Sequence, residues 1–392
     1  MIGVLMLVNE FSPLPTGGAE KQAERLAERL GKQGFRVGVL TRGMPGLPGR
    51  EMRDGYSIER IPQRGPGKLK SLTFMAGAML AVLRRRREID VLHAHLAFTP
   101  ALVAAIMGRA LNKPVVVKFG TSGPYGDVRV SQRTWRGRLR LALLRRWIDV
   151  SIALSPEMEA EMLEAGFPRE RVRRISNGVD ADVFRPCRDK QAEKSALGLS
   201  GKTVALFVGR LAPQKAVPVL LHAWRRAVGE CSGLQLVLLG DGPDRMALER
   251  MARALSIDPH VTFAGNVPDV RRYLAAADIF VLPSASGEGI SNALLEAMAS
   301  GVACIATAVG GSSEVLDDGA CGSLLPPDRP DLLSEAIVSL ARHPDEAARY
   351  AERARSRILA HYAFAVVDGQ YRALYDQLLH RETLSQRSEL PV

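Results

Sequence analysis

The chain has 392 residues, of which 46% are hydrophobic and 24% are charged, and its formal net charge is +11. A chain of this length exceeds what one hydrophobic core usually fills, so two domains are expected, and the composition is typical of a soluble globular protein. No stretch reaches the ~20 consecutive apolar residues that a membrane span needs, which excludes a transmembrane helix.

The first residues of the chain and its cysteines indicate the cellular compartment in which the protein is expected. Residues Met1–Val8 lack the basic segment that begins a signal peptide, so they are predicted to form a first strand. Cys187, Cys231, Cys304 and Cys321 have neither metal-ligand spacing nor the pattern of a disulfide framework. These features indicate a cytoplasmic protein.

The positive charge is concentrated in the first half of the chain. Residues 1–190 contain 33 Lys and Arg against 19 Asp and Glu, whereas residues 191–392 contain 20 against 23. An anionic partner of the first half is therefore expected.

The first half alternates apolar, strand-like runs with amphipathic helical runs, a pattern that predicts a parallel, doubly wound sheet. The predicted strands are Ile2–Val8, Arg36–Leu40, Val91–His93, Pro114–Lys118, Val150–Leu154 and Val172–Ile175. Gly17 and Gly18 follow the first strand and begin a helix. Two glycines let a backbone approach a ligand closely, so they are a potential phosphate contact, although a plain turn is the alternative.

A linker is predicted from Phe184 through the polar residues up to Ser200. The strand–helix alternation then resumes, with strands predicted at Thr203–Val208, Leu234–Leu239, Val261–Phe263, Ile279–Leu282 and Val302–Thr307. The predicted fold is α/β with two Rossmann-like domains, residues 1–190 and 191–363. A C-terminal helix at about 364–381 is expected to pack back on the first domain, and residues 384–392 are expected to fray.

In such folds ligands bind at the carboxyl ends of the strands. Gly209 and Arg210 follow one predicted strand, and Lys215 is predicted to open the next helix, so the two cations are candidates to clamp a diphosphate. Gly240 is a candidate wall of a nucleotide pocket. The backbone at Asn266 and Val267 is a candidate contact for a base. The alternatives are that Arg210 and Lys215 are ordinary surface cations and that the turns after these strands have no ligand.

The stretch Gly287–Glu296 follows an apolar strand and opens an apolar helix, an arrangement that directs backbone N–H groups and the positive end of a helix dipole toward an anion. Gly289, Ile290 and Ser291 are predicted to hold a diphosphate. Glu288 would accept hydrogen bonds from the hydroxyls of a sugar. If the helix were continuous, Glu296 would lie roughly 12 Å farther along its axis, and it would accept hydrogen bonds from a ribose. Two solvated helix glutamates are the alternative.

Taken together, these residues resemble the retaining GT-B glycosyltransferases of family 4, the "glycosyltransferase group 1" family. Three further motifs match: Asp90–His95, Ser176–Asp180 leading into Phe184–Pro186, and Gly310–Glu314. The resemblance implies two Rossmann-like domains facing across a cleft, with the donor bound by the second and the acceptor by the first. It also implies a nucleotide-diphosphate sugar, expected to be UDP-linked, transfer with retention, no essential metal and no cofactor.

The sequence departs from the family at two positions. Phe119 stands where many relatives carry a histidine near the anomeric carbon, and Ala216 replaces a glycine that often follows the lysine. His95 or Lys118 would then take over part of the histidine's role, or the departing phosphate would itself deprotonate the acceptor. His93 and His95 are expected to be packing residues and not metal ligands.

The acceptor side is expected in the glycine-rich segment 119–127, where Thr121 and Tyr125 are candidate contacts; a mobile loop is the alternative. Arg84–Arg87 follow the apolar run Leu72–Leu83, and the arginines of residues 129–146 are interleaved with leucines and Trp147. This pattern suits a helix at an anionic membrane surface, and a solvated basic face is the alternative. No nucleic-acid-binding motif is found.

We therefore expect a glycosyltransferase that builds a cell-surface glycan on a glycan or lipid-linked acceptor, docked on the inner face of the membrane. Two other hypotheses remain open: a sugar-nucleotide epimerase of the same fold, and a non-catalytic nucleotide-sugar-binding protein.

Overall fold

A computed structural model describes residues 1–13 and 17–388, and of Lys68 and residues 381–388 it describes the backbone only. Thr16, which begins the glycine turn, and the end of the tail predicted to fray therefore lie outside the described residues. The chain forms two compact units, Met1–Ser176 together with the chain from Val367 onward, and Asn177–Val366.

The first unit contains an eight-stranded sheet in the order β3-β4-β2-β1-β5-β6-β7-β8. Its strands are β1 (Gly3–Leu7), β2 (Arg36–Arg42), β3 (Arg50–Arg53), β4 (Tyr56–Ile61), β5 (Val91–His95), β6 (Val115–Lys118), β7 (Val150–Ala153) and β8 (Val172–Arg174). All neighbours are parallel except β3 and β4, which form an antiparallel edge. The sequence did not predict these two strands, because their charged residues interrupt the apolar runs by which the other six were recognised.

Among the described residues, six α-helices connect these strands: α1 (Gly18–Lys32), α2 (Lys68–Arg84), α3 (Thr99–Leu111), α4 (Asp127–Gln132), α5 (Trp135–Trp147) and α6 (Pro156–Glu164). The basic segment 129–146, predicted as one helix, is divided between α4 and α5. The division occurs because the hydroxyl of Thr134 accepts a hydrogen bond from the Gly137 N–H and so caps a new helix.

The second unit contains a six-stranded, wholly parallel sheet in the order β11-β10-β9-β12-β13-β14. Its strands are β9 (Thr203–Val208), β10 (Leu234–Leu239), β11 (Val261–Gly265), β12 (Ile279–Leu282), β13 (Ala303–Thr307) and β14 (Ser323–Leu325). The remaining helices are α7 (Lys190–Ala196), α8 (Val217–Glu230), α9 (Arg245–Ala254), α10 (Arg271–Ala276), α11 (Asn292–Ala299), α12 (Ser312–Val315), α13 (Pro330–Arg342), α14 (Pro344–Arg357) and α15 (Phe364–Ser388).

The chain enters the second unit at Asn177, before the boundary predicted after residue 190. Backbone pairing explains the earlier position. The Val179 N–H donates to the Tyr362 carbonyl at 2.9 Å, and the Phe364 N–H donates to the Val179 carbonyl at 3.0 Å. From Val367 onward, apolar residues of α15 at helical spacing, among them Tyr371, Tyr375 and Leu378, lie in the core of the first unit.

The predicted linker is wrong where α7 forms. The Asp189 carboxylate caps this helix by accepting a hydrogen bond from the Ala192 N–H at 2.9 Å. Lys194 then anchors it, because its ammonium donates to the Lys202 carbonyl at 2.7 Å and to the Asp278 carboxylate at 2.6 Å. The sequence did not predict this helix because its residues are polar and show no apolar periodicity. Ion pairs hold the helix in place instead of apolar contacts.

A buried carboxylate fixes two loops at the carboxyl edge of the first sheet. Asp127 Oδ2 accepts hydrogen bonds from the N–H of Ala97, after β5, at 3.2 Å and from the N–H of Gly120, after β6, at 3.1 Å. Burial raises the pKa of Asp127 to about 6, although these two N–H groups and the Arg140 guanidinium lower it and Glu20 raises it further. The fold therefore holds an aspartate whose ionised form is disfavoured.

The turn into α8 stores backbone strain. Ala216 has φ 46° and ψ 37°, which is the left-handed region that a non-glycine residue enters at a cost of roughly 1–2 kcal/mol. This backbone conformation explains why a glycine is often found at this position, because glycine adopts it without strain.

Asp127→Asn is expected to stabilise the protein above pH 6, because the amide oxygen still accepts both N–H groups and carries no charge. In the wild type the folded pKa lies above the ordinary value of 3.8. The proton is therefore held more tightly in the folded state, and stability declines as pH rises from about 4 through about 6, by on the order of 3 kcal/mol. Urea unfolding at pH 5 and pH 8 should show a larger gain of the variant over wild type at pH 8 than at pH 5, where only part of the wild-type loss has occurred. An equal difference at both pH values would contradict this assignment.

Ala216→Gly is expected to raise the free energy of unfolding by about 0.5–1 kcal/mol, the relieved strain less the extra chain entropy of glycine. Urea unfolding measures the gain, with Ala223→Gly in the middle of α8 as the control that should destabilise. A loss of stability in Ala216→Gly would show that the left-handed turn is not populated in solution.

Candidate active site

Lys215 and Glu288 form an ion pair at the carboxyl edge of the second sheet. Ser284, which is fully buried, donates its hydroxyl to the same Glu288 oxygen at 2.6 Å. The Lys215 and Glu288 side chains are only 17% and 9% exposed. Removing one partner from such a pair leaves a largely buried charge uncompensated, so each charge depends on the other.

Neighbouring strands bring the pair together. Lys215 ends a one-turn helix, Pro213–Lys215, that follows β9, and it does not open α8 as the sequence predicted, because Ala216 turns left-handed before α8 begins. Glu288 lies in the loop between β12 and α11. Since β9 and β12 are adjacent parallel strands, their following loops meet at one edge.

The loop before α11 is held in shape from two sides. The Asn177 amide donates to the Ile290 carbonyl at 3.0 Å, and the Gly311 N–H donates to the Gly289 carbonyl at 2.7 Å. Gly310 has φ 60°, and a Cβ there would lie 2.2 Å from the Glu288 carbonyl oxygen, so glycine is required at this position.

The Ser291 hydroxyl accepts from the Leu294 N–H at 3.4 Å and caps α11, which begins at Asn292. The predicted strand, glycine turn and helix are therefore found. The estimate of roughly 12 Å between Glu288 and Glu296 rested on a continuous helix and is wrong in that respect, because Gly289–Ser291 precede the helix and Ser291 is extended. Glu296 lies within α11.

The other predicted donor contacts follow strands of the same sheet. Gly209 and Gly240 pack backbone to backbone after β9 and β10: Gly240 has φ 122°, and a Cβ on it would lie 2.0 Å from the Gly209 oxygen. Arg210 is exposed, and no described residue forms an ion pair with it. Asn266 and Val267 follow the end of β11. The structure thus places these predicted contacts along one edge, and of the predicted side chains it brings Lys215 and Glu288 into contact.

The first unit places His95 and Lys118 side by side, since they are paired residues of β5 and β6. His93 Nδ1 shares a 2.8 Å hydrogen bond with the Tyr375 hydroxyl, and its ring stacks on His95 at 4.4 Å. Burial lowers the pKa of His93 to about 3 and that of His95 well below its usual value. Burial also lowers the pKa of Lys118 to about 7. At neutral pH the two imidazoles are therefore uncharged, and His93 is a packing residue as predicted.

The other candidates of the first unit have different surroundings. Phe119 is buried edge-on against Phe167, with ring centroids 5.4 Å apart, so its side chain belongs to the core. Thr121 donates to the Tyr125 carbonyl at 3.3 Å, and Tyr125 is 52% exposed. Gly17 caps α1 with an ordinary extended backbone, φ −72°, and Gly18 is its first residue. Gly17 therefore adopts a backbone conformation that any residue can take.

Sequence reasoning missed the supporting residues Ser284, Asn177 and Asp127. Ser284 follows β12 and Asn177 lies within a recognised motif, but their roles depend on contacts with residues distant in sequence, which no local pattern reveals. Among the described residues, no group of His, Cys, Asp and Glu side chains has an arrangement that could hold a metal ion. Asp180, in the Asp180-Ala-Asp182 motif, accepts from the N–H groups of Asp182 and Val183 and shapes a turn.

Two cavities lie at the opposite ends of the strands. One of about 950 Å³ is lined by residues just before β6, β7 and β8, including Pro114, Asp149 and Arg171. Another of about 690 Å³ lies beside Thr203, Asp278 and Ala303 at the amino ends of the second sheet. Neither includes a residue predicted to contact the donor or the acceptor.

Comparison with known proteins identifies both halves of the chain. Residues 16–183 match the family model described as glycosyltransferase family 4, and residues 202–343 match the model described as glycosyl transferases group 1. The phosphatidyl-myo-inositol mannosyltransferase of Mycobacterium tuberculosis is 30% identical over 380 residues, covering 92% of this chain and 93% of the relative. The N-acetyl-alpha-D-glucosaminyl L-malate synthase of Bacillus anthracis is 25% identical over 365 residues, covering 93% and 94%.

Solved structures agree on the fold. Sucrose-phosphate synthase from Thermosynechococcus elongatus superposes with a TM-score of 0.83 at 22% identity, covering 97% of this chain and all of that one. Anabaena HepE in complex with UDP-glucose superposes with a TM-score of 0.80 at 20% identity, covering 96% of this chain and all of that one. With its two parallel-sheet, Rossmann-like units and these matches along nearly its whole length, the chain is a glycosyltransferase of GT-B fold and belongs to family 4, the group 1 glycosyltransferases.

Proposed function

We propose that the chain transfers a hexosyl group from a UDP-linked sugar to a hydroxyl of a glycan or lipid-linked acceptor, with retention at the anomeric carbon and without a metal ion or cofactor. The observation that carries this proposal is the Lys215–Glu288 pair beside the amino end of α11. A lysine and a carboxylate held together at a strand edge provide one group for a phosphate and one for a sugar.

The diphosphate is the first part of the donor to account for. In the proposed complex, Lys215 and the exposed Arg210 contact its oxygens, and the N–H groups of Gly289, Ile290 and Ser291 approach it at the positive end of α11. These donors stabilise the negative charge that develops on the leaving group, a contribution on the order of 3 kcal/mol each.

The two carboxylates then bind hydroxyls. Lys215 leaves Glu288 for the phosphate, and the freed Glu288 oxygen accepts from a sugar hydroxyl while Ser284 keeps the carboxylate oriented. Glu296 accepts from the ribose, and the backbone at Asn266 and Val267 borders the base. Gly17, Gly18, Gly209 and Gly240 are proposed to let the backbone approach the donor closely.

The transfer itself breaks the bond between the anomeric carbon and the phosphate oxygen and forms a bond from that carbon to the acceptor oxygen on the same face of the sugar. The departing phosphate oxygen takes the proton of the acceptor hydroxyl, so the step needs no protein base. This assignment agrees with the buried position of Phe119, which offers no base to the ligand.

Relatives support the choice of substrates. HepE was solved with UDP and UDP-glucose, and the mycobacterial relative is a phosphatidyl-myo-inositol mannosyltransferase, whose name specifies a lipid acceptor. On the acceptor side we propose contacts by His95, Lys118, Thr121 and Tyr125 at the carboxyl edge of the first sheet. An epimerase would release no glycoside, and a non-catalytic binder would release no nucleoside diphosphate.

We further propose that α2 docks the first unit on the inner, anionic face of the cell membrane, placing the enzyme in the cytoplasm as a peripheral protein. Four leucines at helical spacing, Leu69, Leu72, Leu80 and Leu83, are 43–59% exposed on one face of this helix. The exposed cations Lys70, Arg84, Arg86 and Arg87 flank them. An exposed apolar stripe with a basic border is typical of a helix at an anionic lipid surface. Within the described residues no helix is long and apolar enough to span a membrane.

Lys215→Ala is expected to lower kcat by about 100- to 1,000-fold, because it removes a cation from the developing charge on the diphosphate. Nucleoside diphosphate release from a panel of nucleotide sugars measures the effect. Lys202→Ala is the matched control, since Lys202 is exposed just before β9 at the opposite edge, and it should keep wild-type activity. Unchanged turnover in Lys215→Ala and in Glu288→Ala would overturn the site assignment.

Replacing Leu72 and Leu80 together by serine is expected to weaken binding to vesicles that contain anionic lipid by about tenfold or more, because partial burial of each leucine contributes on the order of 1 kcal/mol. Co-sedimentation measures the binding, and Met246→Ser, which removes an even more exposed apolar side chain from the second unit, is the control. Equal binding of the wild type to neutral and anionic vesicles at low salt would remove the support for this surface.

A further inference from the structure

The carboxyl ends of two central strands of the first sheet carry two buried polar atoms for which the described residues provide no hydrogen-bond partner. Arg42 ends β2, and Asn9 follows β1, its neighbour in the sheet. Arg42 Nε and Asn9 Oδ1 are both buried, and neither has a hydrogen-bond partner among the described residues. Buried polar atoms without partners are rare in folded proteins and call for a ligand or a bound water.

Among the described residues, no carboxylate forms an ion pair with the Arg42 guanidinium. Its only described side-chain contact of a polar or aromatic kind is with the ring of Phe74, at 5.5 Å from the centroid. A ring face attracts the charge but accepts none of the five N–H donors in the directed way that an oxygen does. Some of the N–H donors of the Arg42 guanidinium are therefore available to bind an oxyanion.

Two other arginines, on the neighbouring strands β3 and β4, are paired with carboxylates. Arg53 contacts Glu24 at 2.8 Å, and Arg60 contacts Glu51 at 2.8 Å. Arg60 also donates to the carbonyls of Pro48 and Ser12. Arg53 and Arg60 are thus paired with carboxylates, whereas no carboxylate in the described part of the chain pairs with Arg42.

The backbone fixes where these groups lie. The Asn9 carbonyl accepts from the Arg42 N–H at 3.4 Å and from the Thr41 hydroxyl at 3.2 Å, which joins the two strand ends. Phe74, beneath Arg42, lies on the buried face of α2, whereas the leucine stripe lies on its exposed face. Arg42 is therefore separated from the proposed membrane surface by about one helix diameter, roughly 10 Å.

We infer that Arg42 and Asn9 bind the anionic, phosphate-bearing head of an amphiphilic acceptor whose hydrocarbon chain lies in the membrane contacted by α2. The Arg42 guanidinium donates to two phosphate oxygens, as guanidinium groups commonly do, and Asn9 Oδ1 accepts from a neighbouring hydroxyl of the head group. This inference rests on the proposed function, and it specifies the class of acceptor: a lipid phosphate or diphosphate in place of a neutral glycan.

Three probes separate the contributions: farnesyl phosphate (chain and anion), farnesol (chain alone) and inorganic phosphate (anion alone). Their dissociation constants would be measured on the full chain with the donor site saturated by the nucleoside diphosphate that it binds best. The wild type should bind farnesyl phosphate most tightly. Arg42→Met should weaken that binding about ten- to a hundredfold, to near the level of farnesol, because a charge-assisted hydrogen-bonded contact is lost. Arg42→Lys should be intermediate.

Arg36→Met is the matched control, because Arg36 is exposed at the opposite end of the same strand and should bind all three probes as the wild type does. Thermal melts confirm that each variant is folded, and Asn9→Asp, which adds a negative charge beside the anion, provides a second variant expected to weaken farnesyl phosphate binding. Equal farnesyl phosphate binding by wild type, Arg42→Met and Asn9→Asp, or no preference of the wild type over farnesol, would overturn the inference while nucleoside diphosphate binding persists. Loss of nucleoside diphosphate binding in the wild type would instead contradict the proposed function.

Discussion

The second unit depends on one electrostatic arrangement: a lysine and a glutamate that compensate each other at a sheet edge. Neither charge of the Lys215–Glu288 pair is well hydrated, and Ser284 is placed to hold the carboxylate. Such a pair contributes little to stability, because desolvation offsets most of its attraction. We propose that its value lies in an exchange of partners: in the proposed complex a diphosphate competes for the ammonium of Lys215 and a sugar hydroxyl competes for the carboxylate of Glu288. A donor bound in this way would satisfy both charges without leaving either one unpaired.

The surrounding fold limits how that edge can move. Parallel strands bring the loops after β9, β10 and β12 to one side, and the glycines at 240 and 310 allow backbone contacts that a Cβ would block. In the first unit, Asp127 joins the loops after β5 and β6 in a similar way. In both units, strand ends are therefore fixed by buried polar contacts, and in the first sheet Arg42 Nε and Asn9 Oδ1, which have no hydrogen-bond partner among the described residues, lie at such ends.

The sequence was sufficient for the parts of the fold that depend on local patterns. Eleven predicted strands correspond to observed ones, because buried parallel strands are continuous apolar runs. The antiparallel edge β3–β4 and the helix α7 were missed, since charged side chains and ion pairs stabilise them. Lys215 and Glu288 were both recognised, but their contact was not, because it joins residues 73 positions apart. Arg42, Asn9 and Asp127 carry no motif, and only their burial and their missing or distant partners distinguish them.

The most direct test of this account is a crystal structure of the protein with a UDP-sugar bound. We expect the diphosphate to lie within hydrogen-bond distance of Lys215, Arg210 and the N–H groups of residues 289–291, with Lys215 moved away from Glu288 and the Glu288 carboxylate on a sugar hydroxyl. A donor bound elsewhere, with Lys215 still paired to Glu288, would contradict the central claim that this ion pair is the binding site.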